Sequence, residues 1–334
     1  MKNILSEVIG HSEVIQRLVS LVATNKLPNT VILSGSGSIG KYKSALGLSQ
    51  NIFCKSKHAD AACGVCGSCL RAKNEQHEGL LVLKSKDSLI KVDQAREVTH
   101  FLSQRNNVDE HKVVIVDGAE HMNNQSANAL LKTLEEPPEN CFIILVTSSL
   151  YKLLPTIRSR AQVFRFGALS NEEIKKIKQV DDWLIELSRA NLDIMEKLQD
   201  SGNQEIYMKL ASSISQLSEA NYNECIKQIS SYTKSKPQCL VLIQALQSLF
   251  YTSYKKGLGI KLNKIDWQEP ALNRLGELSK EQMMELFNES VQFEYFQKSN
   301  FDMLLVFESL FLKLVTYFNG EARHASMDRY SYTP

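Results

Sequence analysis

The sequence predicts a parallel α/β nucleotide-fold domain carrying a small metal-binding insert, followed by two all-helical parts. Three observations carry that expectation. A glycine-rich loop, Gly35 to Tyr42, stands between a β-branched run and a helix. Four cysteines crowd into positions 54–69. After Phe166 strand-like runs give way to three-to-four-residue periodicity. The expected boundaries are 1–166 for the α/β domain, with the insert at 54–69, then 167–207 and 208–334.

Each element follows from its local pattern. Val31 to Ser34 is a short buried-type strand that runs into the glycine loop, and Lys43 to Ile52 reads as the helix leaving it. A second strand, Lys112 to Val116, ends at Asp117, and a third, Cys141 to Thr147, precedes a polar turn. Between them Ala127, Leu130, Leu131 and Leu134 repeat at helical spacing over Asn124 to Leu134, which stops before Pro137-Pro138. Later helices are expected over Asn171 to Lys178, Gln238 to Tyr254, Lys280 to Phe296 and Asn300 to Phe318, with breaks at Gly202, Pro237 and Pro270.

Bulk properties bound the function classes. At 334 residues and 43% hydrophobic, the chain has enough apolar material for two or three cores. Met1 to Gly10 lacks the charged and apolar stretches of a secretory signal, so a cytoplasmic location is expected. The apolar stretch Met303 to Phe318 is broken by Glu308, Ser309 and Lys313 and is too short to span a bilayer, so no membrane partner is expected. A net charge of +2 supplies no global attraction to nucleic acid.

The glycine loop matches the phosphate-loop pattern G-x-x-x-x-G-K-[S/T] up to its last position. Gly35, Gly37 and Gly40 let backbone N–H groups turn inward, and Lys41 adds a point charge at the start of the next helix. Tyr42, however, stands where a small hydroxyl should hold Mg2+ for ATP. Asp117, at the end of its strand, is placed for the second magnesium contact, but Gly118 occupies the position of a water-activating glutamate. Glu120, two residues on, is expected to aim elsewhere. Both catalytic positions of an ATPase are therefore altered, and ATP and Mg2+ binding by this chain is doubtful. Two plainer readings stand beside this one: a glycine-rich turn that binds nothing, and an Asp117 that caps the following helix.

Cys54, Cys63, Cys66 and Cys69 form a C-x8-C-x2-C-x2-C array with Gly64, Gly67 and Ser68 between the last three. Small residues let the chain wrap a tetrahedral ion, and four thiolates leave no open position, so a structural Zn2+ is expected. An iron–sulfur cluster uses the same ligands and is the rival. Cys141, Cys225 and Cys239 fall in apolar or helical stretches and are expected to pack.

With these residues in view, the sequence resembles the AAA+ clamp-loader family of bacterial DNA polymerase III, and within it the delta-prime type. The resemblance runs through Val8 to His11, the glycine loop, the four-cysteine insert, Ile90 to Arg96, Asn128 to Pro138 and Leu153 to Arg160, and so covers the first half of the chain. It implies an AAA+ domain with a zinc insert, a small helical lid and an all-α collar that oligomerises. The delta-prime type does not hydrolyse ATP itself, which fits the two altered positions.

The family's Ser-Arg-Cys motif, which offers an arginine finger to ATP on the neighbouring subunit, maps onto Ser159-Arg160-Ala161. Ala161 departs from it, but a guanidinium needs no cysteine to reach a γ-phosphate. Arg158 is the backup, and the plainer reading pairs both arginines with carboxylates. Thr147 sits at the family's γ-phosphate sensor position. Arg189 lies in the region of the lid arginine but is left unassigned.

The implied partners are the motor subunits and the clamp-opening subunit of a heteropentamer, the sliding clamp, and primed DNA reached through the assembly. Two rival functions stay open: an ATP-hydrolysing motor subunit of the gamma/tau kind, and a zinc DNA-binding protein, against which the spacer Lys55 to Ala62 carries no recognition helix.

Overall fold

The computed structural model describes residues 3–320, except 58–60, 86–88, 105–110, 181–183, 186–187, 189–190, 261–264 and 300. Arg189 lies outside the described residues. The chain divides into two units, Met1–Gln179 with Ala190–Asp193, and Val180–Arg189 with Ile194–Pro334.

The first unit is built on a five-stranded sheet of β1 (Thr30–Ser34), β2 (Leu80–Lys84), β3 (Lys112–Asp117), β4 (Cys141–Thr147) and β5 (Gln162–Arg165). All neighbouring pairs are parallel, in the order β2-β3-β4-β1-β5. The three central strands are those legible as apolar runs. Val113 to Val116 and Ile143 to Leu145 are fully buried because helices cover both faces of a parallel sheet. α1 (Ser12–Ala23) precedes β1, crossovers are made by α2 (Lys41–Phe53), α3 (Gly67–Lys73), α4 (Val92–Ser103), α5 (Asn124–Glu135) and α6 (Pro155–Arg158), and α7 (Asn171–Ile177) follows β5. Ala95, Val98, Leu130 and Leu134 from α4 and α5 close one side over Ile143 and Leu145.

Because β1 and β3 lie on either side of β4, the loops leaving their carboxyl ends open a crevice at that edge, the usual ligand position in such sheets.

In the second unit no strand occurs among the described residues. Its main helices are Ser201–Gln216, Tyr222–Thr233, Lys236–Gly257, Glu269–Leu275, Lys280–Lys298 and Met303–Phe318. Pro237 and Pro270, expected as breaks, instead occupy the first turns of their helices, where no intrahelical N–H is needed. Gly202 likewise falls in a first turn, after Asp200, whose side chain accepts from the Gly202 N–H. The last helix begins at Met303 because the Asp302 carboxylate caps it, accepting from Leu304 N. Phe293 and Phe307 meet edge-on at 5.3 Å in the core of this unit. No described helix is long and apolar enough to cross a membrane.

Candidate functional site

The crevice at the carboxyl ends of β1, β3 and β4 holds a cavity of about 500 Å3 lined by Gly40, Lys41, Tyr42, Asp117, Glu120 and Thr147, among others. Gly35 leaves β1 so close to the chain at Phe166 that a Cβ would lie 2.3 Å from that carbonyl oxygen. Gly40 then caps α2, and Lys41 opens it. The amino end of α2 thus faces the cavity, as a phosphate cradle requires. Lys41 is buried, and its ammonium donates to the carbonyl oxygens of Gly35, at 2.7 Å, and of Ser36. The cation is folded onto its own loop.

Tyr42 points away from a magnesium-binding role. Its hydroxyl donates to Glu75 Oε1 at 2.5 Å, beyond the end of α3, and its ring lies under the Lys84 ammonium, 4.8 Å from the centroid. Lys84 completes the triangle with a 2.6 Å ion pair to Glu75. Burial, and then Glu75, push the tyrosine hydroxyl's pKa well up, so it stays protonated and committed to that carboxylate.

Asp117 ends β3 inside the cavity. Burial raises its carboxyl above the ordinary aspartate range, Glu120 adds to the rise, and Lys41 opposes it. Gly118 follows in the left-handed region at φ +77°, with an added Cβ meeting Ser85 at 3.1 Å. The place of the missing glutamate is therefore a left-handed backbone conformation that strains an L side chain. Glu120 corrects an expectation: it does not aim away but lines the cavity. The turn at Ala119–His121 swings it back, so that its Oε1 accepts from Ser148 N, at 2.9 Å, and from the Ser148 hydroxyl. Burial works to raise the Glu120 carboxyl, but the Ser148 donors outweigh it and hold it below the usual range. Thr147 also lines the cavity, with its hydroxyl turned into a local loop, donating to Ser149 O at 3.0 Å.

The cysteine cluster assembles as its spacing predicts. Cys54 terminates α2, Cys66 caps α3, and Cys69 lies within α3. The four sulfurs all lie within 4.8 Å of one another, with Cys63 and Cys69 3.9 Å apart. A tetrahedral Zn2+ with about 2.3 Å bonds needs sulfurs about 3.8 Å apart, so the donor set can hold a metal ion. The insert is fastened from below, where Gln50 of α2 donates to Cys69 O at 3.0 Å and accepts from Ile4 N, while Asn3 donates to Ala62 O. Cys141, Cys225 and Cys239 are buried and unbonded to other cysteines.

Arg160 follows the short α6. Its Nη1 donates to Thr156 O at 2.9 Å and to Ser159 Oγ at 3.3 Å, and its Nη2 pairs with Glu135 at the end of α5. In the isolated chain the arginine is thus carboxylate-paired, the plainer of its two readings. Arg158 carries a buried Nε with no hydrogen-bond partner. Sequence reasoning missed Glu75 and Glu135. Glu135 had a signal, an acid at a helix carboxyl end, whereas Glu75 had none.

The family described as DNA polymerase III, delta subunit, matches residues 10–170. The chain is 37% identical over 149 residues to the DNA polymerase III subunit delta' of Haemophilus influenzae, covering 44% of this chain and 44% of that one. It is 37% identical over 131 residues to the delta' of Pseudomonas aeruginosa, covering 39% and 40%. The DNA polymerase III subunit tau of Bacillus subtilis is 27% identical over 211 residues, 63% of this chain and 37% of that protein. The chain thus spans roughly two fifths of the length of these curated relatives.

Proposed function

We propose that this chain, whose residues 10–170 match the DNA polymerase III delta-subunit family model and which is 37% identical to two delta' subunits over part of its length, is a delta-prime-type, non-hydrolysing member of a clamp-loader assembly. It has an AAA+ domain with a structural zinc insert, a small helical lid and an oligomerising helical collar. It holds the geometry of a heteropentamer of motor and clamp-opening subunits, and it supports ATP-dependent loading of the sliding clamp onto primed DNA in the cytoplasm. Arg160 is the group it contributes to chemistry, as an arginine finger toward ATP on a neighbouring subunit.

One observation carries this reading: the same cavity keeps Lys41 and Asp117 but commits Tyr42 to Glu75 and fixes Gly118 in a left-handed turn. A chain that retains the cradle without the groups that cut the triphosphate is suited to serve a competent neighbour. The same two features weigh against the alternative of an ATP-hydrolysing gamma/tau-like motor. A finger works because a guanidinium offers paired donors where charge develops on the transferring phosphoryl group.

The test is Arg160→Ala in a loader reconstituted with its tau-type motor subunits. Assembly should stay intact while turnover at the neighbouring site falls about a thousand-fold or more. Unchanged DNA-stimulated turnover would remove the assignment, and magnesium-dependent ATP hydrolysis by the purified chain alone would overturn the non-hydrolysing role.

A further inference from the structure

Glu135 is the last residue of α5, at the negative end of the helix dipole, where a carboxylate is electrostatically misplaced. Glu136 follows it with a second negative charge, and the last turn offers a single basic residue, Lys132. Local helix chemistry gives no reason for an acid at this position, and such breaches gather where function demands them. What Glu135 does have is Arg160. Two neutral acceptors, Thr156 O and Ser159 Oγ, fix one side of the guanidinium, and the Glu135 carboxylate occupies the other.

We propose that Glu135 is a latch for Arg160, a positioning residue that keeps the guanidinium on its own chain until a stronger anion is presented from outside. This inference rests on the finger reading of Arg160. A γ-phosphate carries more charge and more acceptor oxygens than a carboxylate, so it can draw Nη2 away while Thr156 and Ser159 still hold Nη1. Both partners are partly exposed, 33% for the Arg160 side chain and 46% for Glu135, so solvent screens the pair. The latch is therefore a threshold and not a block: it keeps the arginine from weak anions at little cost to the triphosphate.

The experiment is a double-mutant cycle in the reconstituted loader, with ATP turnover measured across ATP concentrations. Glu135→Gln should raise kcat/KM about two- to five-fold, the release available from an exposed ion pair. In the Arg160→Ala background the same change should do nothing, because there is no arginine to release. The fold is not at risk, since removing a charge from the carboxyl end of α5 favours the helix. If Arg160→Ala impairs turnover but Glu135→Gln leaves kcat/KM unchanged, or lowers it, the latch is wrong and the finger survives. An equal rise in both backgrounds also refutes the latch. If Arg160→Ala itself leaves turnover unchanged, the finger reading fails and the latch falls with it.

Discussion

The Tyr42 hydroxyl and the Glu75 carboxylate, 33 residues apart in sequence, are joined by a 2.5 Å hydrogen bond that ties the start of the phosphate-loop helix to the end of the cysteine insert. Glu75 can face Tyr42 because the chain leaves α3 through a left-handed turn, with Glu75 itself at φ +58°. The substitution that removes a magnesium ligand is thus also a structural gain, with the tyrosine serving as a strut between two substructures. It gives a physical reason for a bulky residue at a position that a working ATPase keeps small.

Removing that strut gives the first prediction. Tyr42→Phe keeps the ring under Lys84 and loses only the donor, so stability should fall by about 1 kcal/mol in chemical denaturation. The loss should depend on pH at both ends. The folded pKa of Tyr42 is raised, so its contribution is complete below the unfolded value near pH 10 and fades as pH climbs past it. Burial tends to raise the Glu75 carboxyl, but Lys84 and Tyr42 hold it below its ordinary value, so its contribution is complete above about pH 4 and is lost as pH falls further. The wild-type and Phe curves should be widest apart between these limits. A gap independent of pH would mean that the hydroxyl is not bonded to the carboxylate.

Gly118 supports a second prediction, about restoring what is missing. Gly118→Glu returns an acid to the position after Asp117 but forces an L side chain into φ +77° against Ser85. That strain should cost about 1–2 kcal/mol and should not switch on ATP hydrolysis, because Tyr42 still leaves magnesium without its hydroxyl. Turnover by the purified Gly118→Glu chain would show that the missing hydroxyl at position 42 is not the obstacle. An unchanged denaturation midpoint would show that the turn relaxes freely.

The parts of this design that could be read in advance are those fixed by burial or by covalent spacing. β3 and β4 carry continuous apolar runs, Val113 to Val116 and Cys141 to Val146, because both faces are covered, and α5 repeats its apolar residues at helical spacing under that sheet. β2 and β5 escaped notice because these edge strands, five and four residues long, are only partly buried and show neither the fully buried run of β1 nor a clean alternation. Asp117 and Lys41 were legible from their motifs. Glu120 was not, since its return to the cavity depends on the tight turn after Gly118 and on the Ser148 donors, 28 residues away. The Tyr42 to Glu75 bond is of the same kind, a long-range pairing that no local pattern encodes.

The cysteine cluster yields the third prediction. Its sulfurs span no more than 4.8 Å, and its residues bridge the end of α2 and the whole of α3, a segment with a core of little more than the cysteines and Ala62. So small a core cannot offset the chain entropy of ordering the insert, a deficit that a bound metal would supply. The purified chain should release about one equivalent of Zn2+ when its thiols are titrated with a mercurial, as a closed four-thiolate site requires. Cys69→Ser should abolish that release and lower the melting temperature by several degrees. Because Gln50 and Asn3 fasten the insert to α2 and the amino-terminal turn, the disorder should spread to the start of the chain, where amide exchange at Ile4 should speed up. Iron and inorganic sulfide in place of zinc would make this a cluster site, and a metal-free chain with wild-type exchange at Ile4 would mean that packing alone holds the insert.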